Sequence, residues 1–248
     1  MLVIYGLRVN FVNKKIAISQ SNYIPWKGYF DMIAYVDEFV LYDDMQYTKR
    51  DWRNRNKIIT PTGAQWLTIP VKVKGKYYQK IKDTEIDGES WIKKHWGSIV
   101  QNYKKAPYFN ELKTILEPLY FEDKYTTLSQ CNRRFLEAIC SYLEVNTNIS
   151  NSWDYELVEG KSRKLLNICL QVGATEYVTG PAAKDYLDVQ MFKEAGVKVT
   201  WFDYSDYPEY SQAGEHFIHS VSVLDLLFNE GKNSGQYMKY INHNGDVL

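Results

Sequence analysis

Residues 15–19, KIAIS, form a short apolar and β-branched run of the kind that makes a strand buried on both faces. The run stops at Gln20, Ser21 and Asn22, passes Pro25 and Gly28, and gives way to GYFDMIAYV, where apolar residues recur at helical spacing. Residues 38–42, EFVLY, make a second buried-type run that ends at Asp43 and Asp44. Strand, helix and strand in such quick succession predict a βαβ unit and a parallel sheet. Residues 55–60 and 65–71 read as a hairpin around Pro61, Thr62 and Gly63. From Ser90 to about Leu143 the period becomes helical, with Ser90 expected as N-cap and Pro107 separating one helix from the next. The last hundred residues return to alternation: a helix over SRKLLNICLQVG closed by Gly173, a strand EYVTG, a helix begun by Pro181, and a strand VKVTWFDY. The expected fold is therefore α/β, a mainly parallel Rossmann-like sheet with a β-hairpin and a helical insertion at about residues 90–145. It forms one domain over residues 14–248 behind an N-terminal extension of residues 1–13.

Composition narrows the function classes. Of 248 residues, 45% are hydrophobic and 24% charged, the balance of a globular chain. Thirty basic residues against thirty acidic ones remove the bulk-charge argument for a nucleic-acid partner. Charges interrupt every apolar run, so no membrane insertion is expected, and the first residues lack the basic start and cleavage site of a signal peptide. Cys131, Cys140 and Cys169 show neither disulfide nor metal-ligand spacing, which suits a reducing, cytoplasmic setting. His216 and His219 lack a third ligand nearby, so no metal site is expected. Aromatics reach 15%, with 21 Tyr and 7 Trp against 10 Phe, rings with polar handles that suit sugars, bases or peptides. Residues 1–124 hold 20 basic and 14 acidic side chains and the remainder 10 and 16, so an anionic ligand would be steered to the first half.

Candidate chemistry gathers at strand ends. Gln20 and Asn22, Asp43 and Asp44, Thr179 and Gly180, and Asp203 with Tyr204 each follow a proposed strand, and in open α/β sheets ligands lie outside the carboxyl ends. Loops 20–28, 43–46 and 179–184 are expected to converge on one cleft. The segment from Tyr47 through Lys49, Arg50, Trp52, Arg53, Asn54, Arg55 and Asn56 to Lys57 packs five cations between aromatics. If Arg53, Arg55 and Lys57 share a strand face, their side chains could hold a diphosphate while Trp52 or Tyr47 stacks on a base or sugar. Gly180 and Pro181 leave helix N–H groups open to an anion, with Lys184 one turn on. As proton acceptors the candidates are Asp44, Asp43 and His95. Asp44 is favoured, because it shares its alternation with Gln46 while Asp43 falls in phase with Phe39 and Leu41, and partial burial would raise its pKa.

Three blocks in order, QSNYIPWKGYF at 20–30, YDDMQY at 42–47 and KRDWRNRN at 49–56, closely resemble the signature of the WbqC-like protein family. The likeness continues through WLTIP at 66–70, YKKAPYF at 103–109, GATEYVTGP at 173–181 and VLDLLF at 223–228. Ser21 stands where members of that family often carry Pro. The resemblance implies a cytoplasmic enzyme of O-antigen or other surface-polysaccharide biosynthesis that attaches an acyl or aminoacyl group to the amine of a nucleotide-linked sugar, with acyl-CoA or ATP as group donor. It adds Tyr23, Trp26 and Gly28 to the nucleotide-binding candidates. A fainter likeness to nucleotidylyltransferases leaves open a nucleotidyl-transferring enzyme that uses the 20–28 loop, although the two histidines that would flank Gly28 are absent. A non-catalytic sugar-nucleotide-binding partner is the third reading.

Overall fold

A computed structural model describes residues 13–214 and 216–241; the expectation for residues 1–13 falls, apart from Asn13, outside them. Five strands form one sheet: β1 (Lys15–Ser19), β2 (Glu38–Leu41), β5 (Asn148–Asn151), β6 (Glu176–Thr179) and β7 (Lys198–Trp201). Their order is β5-β2-β1-β6-β7 and every pairing is parallel. From β1 the chain winds outward through β2 to β5, then returns to β6 on the other side of β1 and winds the opposite way to β7. The direction therefore reverses between β1 and β6, the place where an open α/β sheet offers a crevice.

Alternation along the strands explains the two cores. Ala17, Phe39, Leu41 and Val178 face one side, where they pack with α1 (Lys27–Ala34), the insertion helices α2 (Ser90–Tyr103), α3 (Phe109–Phe121) and α4 (Leu128–Tyr142), and α7 (Val223–Glu230). Ile16, Ile18, Val40, Tyr42 and Tyr177 face the other, against α5 (Lys161–Val172) and α6 (Val189–Glu194). A separate two-stranded antiparallel sheet, β3 (Arg55–Thr60) and β4 (Gly63–Thr68), turns at Pro61 and Thr62, with Gly63 at φ 109°.

Some boundaries differ from the sequence expectation for local reasons. Glu89, not Ser90, is the N-cap of α2. The stretch begun by Pro181 closes only a five-residue 3₁₀ turn, Pro181–Asp185, too short to present an α-helical N-terminus. Strand β5 was not expected, because NISN is polar and owes its conformation to parallel pairing with β2. The insertion divides into three helices, the last opened by a capping box in which Thr127 and Gln130 satisfy each other's N–H groups.

Candidate functional site

A cleft of about 700 Å³ opens at the reversal between β1 and β6. Ser19 and Gln20 reach it from the end of β1, Tyr42 and Met45 from the end of β2, Thr179 and Gly180 from the end of β6, and Arg53 from the segment before β3. The three loops expected to converge thus do so. Gly160, Lys161 and Lys164 close the opposite side from the start of α5.

The polar equipment of this cleft is cationic. Arg53 is held by a hydrogen bond to Gln20 Oε1 and a 3.5 Å contact with Asp51, and its Nε is buried without a partner. Gly160, at φ 97°, lets the chain turn into α5 but offers no side-chain acceptor, and the first turn of that helix contains no acid. Its leading N–H groups are therefore free of the usual cap, and Lys161 and Lys164 add positive charge where the helix dipole disfavours it. A bound anion would relieve both. Among the described residues lining the cleft there is no Asp, Glu or His. The phenols do not replace them as bases: burial pushes Tyr42 and Tyr204 up to about 12, so both stay protonated donors near neutral pH.

Other candidates have different work. Asp43 is fully buried and accepts hydrogen bonds from the Ser21 N–H at 2.8 Å and the Ser129 hydroxyl at 2.5 Å. Asn132 continues the network to Ser21 Oγ and the Arg53 carbonyl, both at 2.9 Å. The Asp43 network thus fixes the two segments that carry Gln20 and Arg53. Burial raises the pKa of Asp43 despite these bonds. Asp44 departs from the sequence expectation. Partial burial pushes its pKa up, but hydrogen bonds from Lys82, Lys80 and Ser152 outweigh it and hold the carboxyl below its ordinary value. Lys80 and Lys82 lie 2.9 and 2.8 Å from Oδ1, so Asp44 is a neutralised anchor outside the cleft lining.

His95 lies in the helical layer. Its Nε2 faces the Thr68 carbonyl at 3.1 Å, which can only accept, so Nδ1 is the acceptor for Tyr23 Oη at 3.0 Å, and Tyr23 in turn meets Tyr120 Oη at 2.7 Å. Burial lowers the His95 pKa to about 4. The unfolded chain therefore binds the proton first as pH falls through about 6.5, and stability declines between there and about pH 4. By pH 5 this amounts to roughly 2 kcal/mol. Urea midpoints at pH 7 and pH 5 should show the wild type losing more stability than His95→Gln; equal losses would contradict the neutral, buried assignment.

Arg53, Arg55 and Lys57 do not act as one set, a correction that follows from β3 beginning only at Arg55. Arg53 turns into the cleft, while the Arg55 guanidinium lies 4.1 Å over the Trp66 ring and Lys57 Nζ stands 5.6 Å from the rings of Trp52 and Trp66. These two cations flank a second, smaller pocket of about 260 Å³, lined by Asn22, Pro25, Trp26, Trp52, Asn56, His219 and Ser220. Asn56 also donates to the Tyr23 and Ile24 carbonyls, and Asn54 to that of Ile69, so both shape backbone. Gly28 is required by packing, since a Cβ there would stand 2.4 Å from the Trp26 indole. Gln46 bonds the Tyr77 carbonyl, Tyr47 is buried, Arg50 takes φ 59°, and Lys184 lies over Trp201; none of the four lines either cavity. Lys161 and Lys164 were missed by the sequence reading. Their signal was visible in EGKSRK, a glycine followed by a basic, acid-free first turn.

No solved structure matches the chain. The uncharacterized protein Rv1507c of Mycobacterium tuberculosis (strain ATCC 25618 / H37Rv) is 56% identical over 227 residues, covering 92% of this chain and 98% of that protein. No described helix is long and apolar enough to cross a membrane. The sequence profile of the WbqC-like protein family matches residues 20–237, which hold both cavities apart from the β1 end at Ile18 and Ser19, and the chain belongs to that family.

Proposed function

We propose that the chain binds a nucleotide-linked amino sugar in the cleft between β1 and β6 and, in surface-polysaccharide biosynthesis, transfers an acyl or aminoacyl group to the sugar's amine. One observation carries the binding half: Arg53, Lys161, Lys164 and the uncapped start of α5 surround a cleft that no carboxylate lines among the described residues. Guanidinium and ammonium groups suit a diphosphate, and the tyrosines add ring faces and hydroxyl donors. In the transfer step the amine nitrogen would attack the acyl carbonyl, a C–N bond forming as the bond to the activating group breaks, and the proton lost by the amine would leave with the departing thiolate or phosphate. That no described residue of the lining is a carboxylate or imidazole also favours a second reading, a binding partner that presents the sugar nucleotide to another enzyme.

Uridine diphosphate should give saturable heat on calorimetric titration, with an affinity that falls as salt is raised, because exposed cations are screened. No saturable binding would sink the proposal. Incubation with an amino-sugar nucleotide then separates the readings: thiol release from acyl-CoA supports transfer, pyrophosphate release from ATP supports nucleotidyl or aminoacyl activation, and binding without turnover supports the partner role.

A further inference from the structure

The two cavities share a thin wall. The loop segments around Asn22 and Trp52 are joined by the Tyr23 N–H donating to the Trp52 carbonyl at 3.1 Å. Gln20 and Arg53 line the cleft on one side of that wall, while Asn22 and Trp52 line the smaller pocket on the other. Nothing in the phosphate reading uses this second cavity.

Its chemistry is amphipathic. Trp26 and Trp52 supply indole walls, and Trp66 extends them outward, its ring 5.3 Å from that of Trp52 and inclined at 41°. Trp52 and Trp66 remain 38% and 42% exposed, an adjacent pair of large apolar rings left facing water. Between them stand polar edges. Asn22 Oδ1 is buried with no hydrogen-bond partner, an acceptor that gains from a donor. Lys57 Nζ donates to Ser220 Oγ at 3.1 Å, and Arg55 donates to the Arg50 carbonyl at 2.5 Å while covering Trp66, so both cations are fixed in place beside the rings.

We infer that this pocket is a carbohydrate site, separate from the phosphate-binding cleft, that takes one pyranose ring. At about 260 Å³ it is too small for a nucleotide. Trp52 and Trp66 pack on each other with centroids 5.3 Å apart and leave no gap between their rings for a planar base, whereas a pyranose chair lays its C–H face on one indole and turns hydroxyl donors toward Asn22 and its neighbours.

Intrinsic tryptophan emission of the full chain, titrated with the methyl glycosides of glucose, galactose and N-acetylglucosamine, tests this directly. At least one glycoside should shift the emission saturably, and saturating uridine diphosphate should leave that titration unchanged. Trp52→Ala should weaken the glycoside tenfold or more and Trp52→Phe much less; if the alanine variant does not fold, the wild-type titration and the phenylalanine variant still decide. No saturable response to any of the three, a response to uridine but not to sugars, displacement by uridine diphosphate, or unchanged affinity in a folded Trp52→Ala would each overturn the inference. Failure of uridine diphosphate to bind at all would defeat the cleft reading and leave this one standing.

Discussion

Replacing Arg53 with alanine is expected to weaken binding of uridine diphosphate by about 10- to 150-fold, the equivalent of roughly 1.5–3 kcal/mol for a charge-assisted hydrogen bond. Arg53 is an enclosed cation of the cleft, with 14% of its side chain exposed, and its buried Nε has no protein partner to compensate the loss of water. Lysine at this position should recover only part of the affinity, because a point charge cannot reproduce the fork. The substitution should cost little stability, since its ion pair with Asp51 is long at 3.5 Å. Calorimetry of the three proteins reads the effect; wild-type affinity in Arg53→Ala would remove this residue from the site.

Asp43→Ala should be the most damaging single change to the folded chain. It strands the Ser21 N–H and the Ser129 hydroxyl in a fully buried place and releases the network that reaches Asn132 and the Arg53 carbonyl. Unsatisfied buried donors cost about 1–3 kcal/mol each, so a total loss of roughly 2–6 kcal/mol is expected. Asp43→Asn, which keeps one acceptor oxygen, should lose less. The urea midpoint, read with its slope, measures both, and a loss below about 1 kcal/mol in Asp43→Ala would show that the carboxylate does not anchor these loops.

Much of this arrangement is legible in the residues. KIAIS, EFVLY and EYVTG become parallel neighbours because continuous apolar runs require cover on both faces; Asp43 is buried, but β2 ends at Leu41 and a turn rather than the strand period places it. The convergence of the 20–28, 43–46 and 179–184 loops follows from parallel strands alone. What escaped the sequence depends on distant partners. Lys80 and Lys82 meet Asp44 across a long loop, so the expected base became an ion-pair anchor. Strand β5 takes its conformation from β2 rather than from its own polar residues. Lys161 and Lys164 look like an ordinary solvated helix face until the fold points the start of α5 at the end of β1.

The proposed ligand places its diphosphate between Arg53 and the first turn of α5. A crystal structure of the chain grown with a uridine-diphosphate amino sugar reads that placement without assuming any reaction. Density for the two phosphates against the Arg53 guanidinium, Lys161, Lys164 and the leading N–H groups of α5 is the predicted result. Phosphates seated in the Trp52 pocket, or on a surface away from the carboxyl ends of β1 and β6, would contradict it.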